Sequence, residues 1–70
     1  MGLTIDQLID MATAGEFGTP DNQDMSNSIH RAFWTGFNGW RKSKEFRGTV
    51  NYNAVVAGET MATALNNKEG

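Results

Sequence analysis

The sequence predicts a small all-α domain of three helices, with a long second helix at the centre of the fold. Apolar residues recur at spacings of three and four along three segments, as they do on one face of a helix. Thr4 and Thr19, which are good N-cap residues, precede the first two segments. The 70 residues include no cysteine, so disulfides and thiolate metal sites are excluded. We therefore expect residues 1–70 to form a single helical domain.

The first helix is predicted over residues 5–14. Thr4 followed by Gln7 is a capping-box pattern, in which each side chain accepts from the other residue's backbone N–H. Gly15 is a natural end, because glycine adopts the left-handed conformation without a steric penalty. The apolar side of this helix is Ile5, Leu8, Ile9, Met11 and Ala12.

The second helix is predicted over residues 20–43, because Thr19 can cap it and Pro20 suits its first position. An alternative start lies near Ser26, with residues 20–24 as a separate turn. Gly36 and Gly39 lie inside this predicted helix. Because a glycine inside a helix costs about 1 kcal/mol relative to alanine, we expect both glycines to allow the close approach of another backbone. The stripe itself is Met25, Ile29, Ala32, Phe33, Gly36, Phe37 and Trp40.

The third helix is predicted over residues 51–66, after a polar and basic loop. Asn51 or Asn53 can cap it, and its apolar residues keep the helical spacing without alternation. The tail, residues 67–70, is expected to fray. The apolar side is formed by Tyr52, Val55, Val56, Gly58, Met61, Ala62 and Leu65.

Charge is distributed unevenly along the chain. Residues 1–25 carry five acids and no base, residues 26–50 carry five bases and one acid, and residues 51–70 have a net charge of −1. A division of this kind indicates either two differently charged faces or a partner of mixed charge.

Residues suited to catalysis or metal binding are few. His30 has no cysteine and no acidic partner at local spacing. Nucleophilic catalysis by a histidine base needs both a nucleophile beside the histidine and a third group that orients its ring. Asp6 and Asp10 share a helix face, but two carboxylates fall far short of a calcium site. We therefore expect no enzyme, no cofactor and no metal. No apolar run approaches the ~20 residues of a membrane span, and no secretory leader is evident, so we expect a cytoplasmic protein.

The segment from Trp40 to Arg47 combines bases with aromatics. Such residues can neutralise phosphates and stack on unpaired bases. They can equally complement the negative end of a helix and close the core. Trp34 is either a core residue or an exposed contact, as is Trp40. The candidate partner-binding residues are Trp34, Phe37, Trp40, Arg41, Lys42, Lys44, Phe46 and Arg47.

Residues 30–62 contain Arg-Ala at positions 31–32, then Gly36-Phe37, and then Gly39 with the segment Ser43-Lys44-Glu45. In this pattern they resemble the ribosome modulation factor family and its small phage-borne relatives. That family carries Arg-Ala, then glycine with an aromatic, then a further glycine and basic residues. The matching residues here are Arg31-Ala32-Phe33-Trp34-Thr35-Gly36-Phe37, then Gly39 and Ser43-Lys44-Glu45. Its second helix looks similar to Ala57-Gly58-Glu59 with Met61-Ala62. The resemblance implies a shared two-helix core and contact with the ribosome or its RNA.

The function predicted from the sequence is binding. A short chain with surplus aromatics and divided charge is typical of the small regulators or inhibitors that phages and mobile elements encode. A macromolecular partner is expected, most readily a protein in the host cytoplasm. Contact with ribosomal RNA or another nucleic acid through residues 40–47 is the alternative. A homodimer is a third way for so small a core to gain support.

Overall fold

The computed structural model describes residues 3–39 and 51–69. These form three helices and one short hairpin, in the order α1 (Ile5–Thr13), β1 (Gly18–Thr19), β2 (Asn22–Gln23), α2 (Ser28–Asn38) and α3 (Tyr52–Glu69). The predicted mostly helical domain is thus confirmed for the described residues, and the two-stranded sheet is an addition to it. None of the three helices in the described ranges is both long and apolar enough to cross a bilayer.

Helix α1 begins as the sequence predicts. The Gln7 backbone N–H donates to Thr4 Oγ1 at 3.1 Å, and the Thr4 backbone N–H donates to Gln7 Oε1 at 2.8 Å. This reciprocal capping box satisfies backbone donors that have no partner within the helix. The chain leaves the helix through Ala14 and then Gly15, whose φ is +85°.

The hairpin replaces the predicted start of the second helix. Gly18 pairs with Gln23 and Thr19 with Asn22 in antiparallel register. A β-carbon at position 18 would lie 2.5 Å from the Asn22 carbonyl oxygen, which is too close. The backbone φ of Gly18 is also +87°, so only glycine fits at this position. The Thr19 hydroxyl accepts the Asn22 backbone N–H at 3.1 Å, which caps this tight turn. Thr19-Pro20 therefore begins a turn and not a helix.

Helix α2 begins at Ser28, close to the alternative start. Asn27 caps it by accepting the His30 backbone N–H on Oδ1 at 2.9 Å. The helix ends at Asn38, because Gly39 takes the left-handed conformation with φ of +75°. At 11 residues α2 is shorter than the predicted long central helix, whose residues 40–43 lie outside the described ranges. The longest described helix is α3, with 18 residues.

Helices α2 and α3 are antiparallel and cross at two glycines. A β-carbon at Gly36 would collide with the Val55 carbonyl oxygen, and one at Gly58 would collide with the Phe33 carbonyl oxygen. At each glycine, the absence of a side chain thus leaves room for the backbone of the opposite helix. The predicted close approach is confirmed at Gly36. It is wrong at Gly39, where a β-carbon would meet nothing within 4 Å and the glycine instead ends α2.

The core is enclosed by the crossing helices α2 and α3, by helix α1, and by the loop that precedes the hairpin. Helix α1 is joined to the start of α3 by a hydrogen bond from Asn53 Nδ2 to the Leu3 carbonyl oxygen at 2.9 Å. Met25 and Ile29, predicted members of the apolar stripe, remain 36% and 37% exposed. The buried apolar residues are Leu8, Phe17, Ala32, Phe33, Trp34, Ala54, Val55 and Ala57.

Candidate functional site

Trp34 is a core residue, which decides between the two roles that the sequence allowed. Its side chain is 3% exposed. Its indole Nε1–H donates to the Phe17 carbonyl oxygen at 2.7 Å, and its ring meets that of Phe33 edge-on with centroids 4.8 Å apart. A buried tryptophan usually finds a partner for its N–H in this way. Trp34 therefore has too little exposed surface to serve as a contact residue.

Phe37 lies on the last turn of α2 and is half-buried. Its ring packs edge-on against Trp34 at 5.1 Å and stacks with Phe33 at 6.3 Å between centroids. One part of this side chain thus belongs to the core, while the rest reaches the surface. Phe37 is therefore partly a core residue and partly exposed, at the end of the domain where α2 stops.

The remaining candidate residues lie outside the described ranges. They are Trp40, Arg41, Lys42, Lys44, Phe46 and Arg47. The described residues nevertheless fix where this segment joins the domain. Helix α2 ends at Asn38 and the antiparallel α3 begins at Tyr52, so residues 40–50 connect the two helices at one end of the pair. Phe37 and the half-buried Tyr52 lie at this same end.

His30 has an acidic neighbour that sequence spacing did not reveal. Its Nδ1 lies 3.3 Å from Asp24 Oδ2, although the carboxylate comes from the segment after β2, six positions earlier. The Nδ1 atom is fully buried and makes no hydrogen bond within the described part of the chain. The imidazole ring also packs against Phe17 with centroids 4.8 Å apart. The pair holds the hairpin against α2.

Asp24 is stabilised as a carboxylate by its own turn. Hydrogen bonds from the side chain and backbone of Ser26 lower the pKa of Asp24, desolvation opposes them, and the proximity of His30 lowers this pKa further. The Ser26 backbone N–H donates to Asp24 Oδ1 at 2.9 Å. The Asp24 backbone N–H in turn donates to the Phe17 carbonyl oxygen at 3.0 Å. These bonds shape the turn before α2.

The hairpin has a second attachment to α2. Gln23 Nε2 donates to Asn38 Oδ1 at 2.8 Å, and Asn38 Nδ2 donates back to Gln23 Oε1 at 2.9 Å. Both side chains are partly buried. The hairpin is therefore fixed to both ends of α2, by His30 at its start and by Asn38 at its end.

No group of three or more histidines and carboxylates in residues 3–39 and 51–69 could hold a metal ion. An open depression of about 410 Å³ runs along the outer side of α3. Most of its lining surface is apolar, and the residues that line it are Glu59, Thr60, Thr63, Ala64 and Asn67.

Comparison with known proteins gives no relative for this chain. No protein-family model matches it, and neither a curated protein nor a solved structure is significantly similar.

Proposed function

We propose that this protein is a small non-catalytic regulator, of the kind that phages and mobile elements encode, which binds and modulates or inhibits a host protein. The supporting observation is the separation of charge between residues 40–50, which join α2 to α3 along the chain, and the remaining residues. Residues 40–50 carry four bases and one acid, which gives them a net charge of +3. Because the whole chain has a net charge of −2, the remaining residues, here called the acidic body, have a net charge of −5. An acidic body with a basic, aromatic segment suits a partner that presents both charges.

The contact surface in this proposal is the end of the domain at which the basic segment is attached. Phe37 supplies a half-buried ring there. The sequence adds aromatics at Trp40 and Phe46, and large aromatic side chains with arginines commonly dominate binding energy at interfaces. Trp34 contributes indirectly, because its buried ring supports Phe37.

The alternative function is contact with ribosomal RNA or another nucleic acid through residues 40–47. Two features support it, the alternation of bases with aromatics and the resemblance of residues 30–62 to the ribosome modulation factor family. Binding of this kind releases counterions and would weaken steeply as salt rises. The acidic body would add repulsion from the phosphates, so we rank this function second.

A comparison of variants separates the two functions. Arg41, Lys42, Lys44 and Arg47 are changed together to glutamine, and the matched control replaces two bases outside the segment, Arg31→Gln with Lys68→Gln. Tagged proteins are used to capture partners from lysate with and without nuclease, followed by mass spectrometry. The protein recovered is then purified and titrated with each variant by calorimetry.

The regulator proposal expects one protein that persists after nuclease treatment, binds in purified form, and loses affinity only for the fourfold variant. Loss of all partners with nuclease, together with ribosomal RNA in the untreated sample, would establish the alternative. Equal affinity of the fourfold variant and the control would reject residues 40–47 as the contact segment. Sedimentation velocity of the purified protein tests the homodimer, which a monomer at high concentration would rule out.

A further inference from the structure

Asn38 and Gly39 form the only Asn-Gly pair in the sequence. In such a pair the backbone nitrogen of glycine can attack the asparagine side-chain carbonyl carbon, because no following side chain shields it. The reaction requires that the side chain and the next backbone nitrogen both be free to move. Here the pair lies at the junction where α2 ends and the chain takes the left-handed conformation.

Both reacting groups are engaged in the folded protein. The Asn38 carboxamide is held by two hydrogen bonds to the Gln23 carboxamide, at 2.8 and 2.9 Å. The Gly39 backbone N–H donates to the Gly36 carbonyl oxygen at 3.2 Å. The attacking nitrogen is thus fixed by the helix end, and the carbon under attack is fixed by the hairpin.

We propose that Asn38-Gly39 is a deamidation site that the Gln23 side chain keeps closed. When the hairpin separates from α2, the Gly39 nitrogen attacks Asn38 Cγ. A bond forms between that nitrogen and Cγ, the bond from Cγ to Nδ2 breaks, and ammonia leaves with the proton from Gly39. Water then opens the cyclic imide to aspartate or isoaspartate at position 38. No oxidant or other co-reactant is needed.

The modification weakens the attachment that prevented it. A carboxylate at position 38 has no N–H to donate to Gln23 Oε1, so one of the two bonds is lost. The new negative charge lies on the last residue of α2, where the helix end already carries partial negative charge. Hydrolysis of the imide is not reversed. A molecule that has reacted therefore keeps the weakened attachment, and its hairpin separates from α2 more often.

The test measures deamidation at position 38 in four proteins of residues 1–70, the wild type, Gln23→Ala, Gln23→Glu and the control Asn22→Ala, incubated in mildly alkaline buffer. Peptide mapping by mass spectrometry follows the mass gain and separates isoaspartate from aspartate. A synthetic peptide of residues 36–41 gives the rate of the unprotected pair. Circular dichroism confirms that each variant remains folded during the incubation.

We expect the peptide to react fastest and the wild type slowest. Gln23→Ala should react roughly thirtyfold faster than the wild type, the ratio expected for loss of two neutral hydrogen bonds of ordinary net strength. Gln23→Glu should be intermediate, because glutamate still accepts from Asn38 Nδ2 but cannot donate to Oδ1. The matched control Asn22→Ala, on the same strand with an exposed side chain, should keep the wild-type rate.

Two results would overturn the proposal. The first is a wild-type rate equal to that of the peptide, which would mean that the fold protects nothing. The second is a folded Gln23→Ala or Gln23→Glu protein that reacts no faster than the wild type, which would mean that Gln23 is not the protecting group. If Gln23→Ala fails to fold, Gln23→Glu alone decides the outcome.

Discussion

The Phe17 carbonyl oxygen accepts the indole N–H of Trp34 at 2.7 Å, so a backbone atom before the hairpin fixes the largest side chain of α2. The same oxygen accepts the Asp24 backbone N–H at 3.0 Å from the other side of the hairpin. One carbonyl thus joins the loop after α1, the segment before α2 and the core of the protein.

Replacing Trp34 with phenylalanine should lower the free energy of unfolding by roughly 2–3 kcal/mol, since it removes this bond and leaves a cavity. Urea denaturation monitored by circular dichroism measures the loss. Phe37→Leu, at a half-buried position, should cost less and serves as the comparison. A Trp34→Phe protein of unchanged stability but reduced partner affinity would contradict the assignment of Trp34 to the core.

Gly58→Ala should destabilise the protein although alanine is the better helix former. Alanine would favour the helix by about 1 kcal/mol. Its β-carbon would, however, collide with the Phe33 carbonyl oxygen and lie 2.7 Å from the Phe37 backbone nitrogen, and neither backbone atom can yield cheaply. Separating two packed helices costs at least the ~1–3 kcal/mol of ordinary overpacking. Thermal unfolding should therefore show a clear net loss.

The control for Gly58→Ala is Ala64→Gly, at an exposed position on the same helix. This change measures helix propensity alone, and we expect it to cost about 1 kcal/mol. A gain in stability for Gly58→Ala equal in size to the loss for Ala64→Gly would show that α2 and α3 do not approach at this point.

Asp24 should make stability depend on acid pH. Its pKa is lowered in the folded protein below the ordinary value of 3.8, so the unfolded chain binds this proton more readily. The ionised carboxylate therefore stabilises the fold above pH 3.8, and this contribution is lost as the pH falls through the lowered pKa. Denaturation curves of the wild type and Asp24→Asn should differ at neutral pH and converge in stronger acid.

Asp21→Asn is the matched control for Asp24, because Asp21 lies in the hairpin turn with an exposed side chain. It should change stability little across the same pH range. Wild-type and Asp24→Asn curves that stay parallel into strong acid would refute the role of the Asp24 carboxylate.

Asn27→Ala should shorten or weaken α2. The Asn27 side chain satisfies the His30 backbone N–H at the start of the helix. Removing a cap of this kind typically costs about 1 kcal/mol. Amide hydrogen exchange should show the first turn of α2 opening more often, while Asn66→Ala, exposed on α3, should leave these amides unchanged. Equal protection at His30 in Asn27→Ala and wild type would disprove the cap.

The sequence was most informative where local chemistry decides the structure. The capping box of Thr4 and Gln7 needs only residues three apart, and the prediction was confirmed atom by atom. The spacing that placed Gly36 within the apolar stripe also indicated a close backbone approach correctly. The capping box depends only on geometry within one helix, whereas the inference at Gly36 came from the cost of glycine inside a helix and was wrong at Gly39.

Errors arose where a distant segment decided between local alternatives. Thr19-Pro20 suits a helix start, but Gly18 can turn the chain into a hairpin that Gln23 then attaches to Asn38. Trp34 lies off the centre of its helical stripe, yet the loop before the hairpin covers it. The Asp24–His30 contact was missed for the same reason, since it forms only after the hairpin has packed on α2.

The bond from Asn53 to the Leu3 carbonyl joins residues fifty positions apart. Helices α2 and α3 are much closer along the chain, and nearby segments lose less entropy when they meet. Helix α1 packs on α3, the helix that is farthest from it along the chain. The contact between α1 and α3 therefore closes a longer stretch of chain than the contact between α2 and α3, and forming it costs more chain entropy.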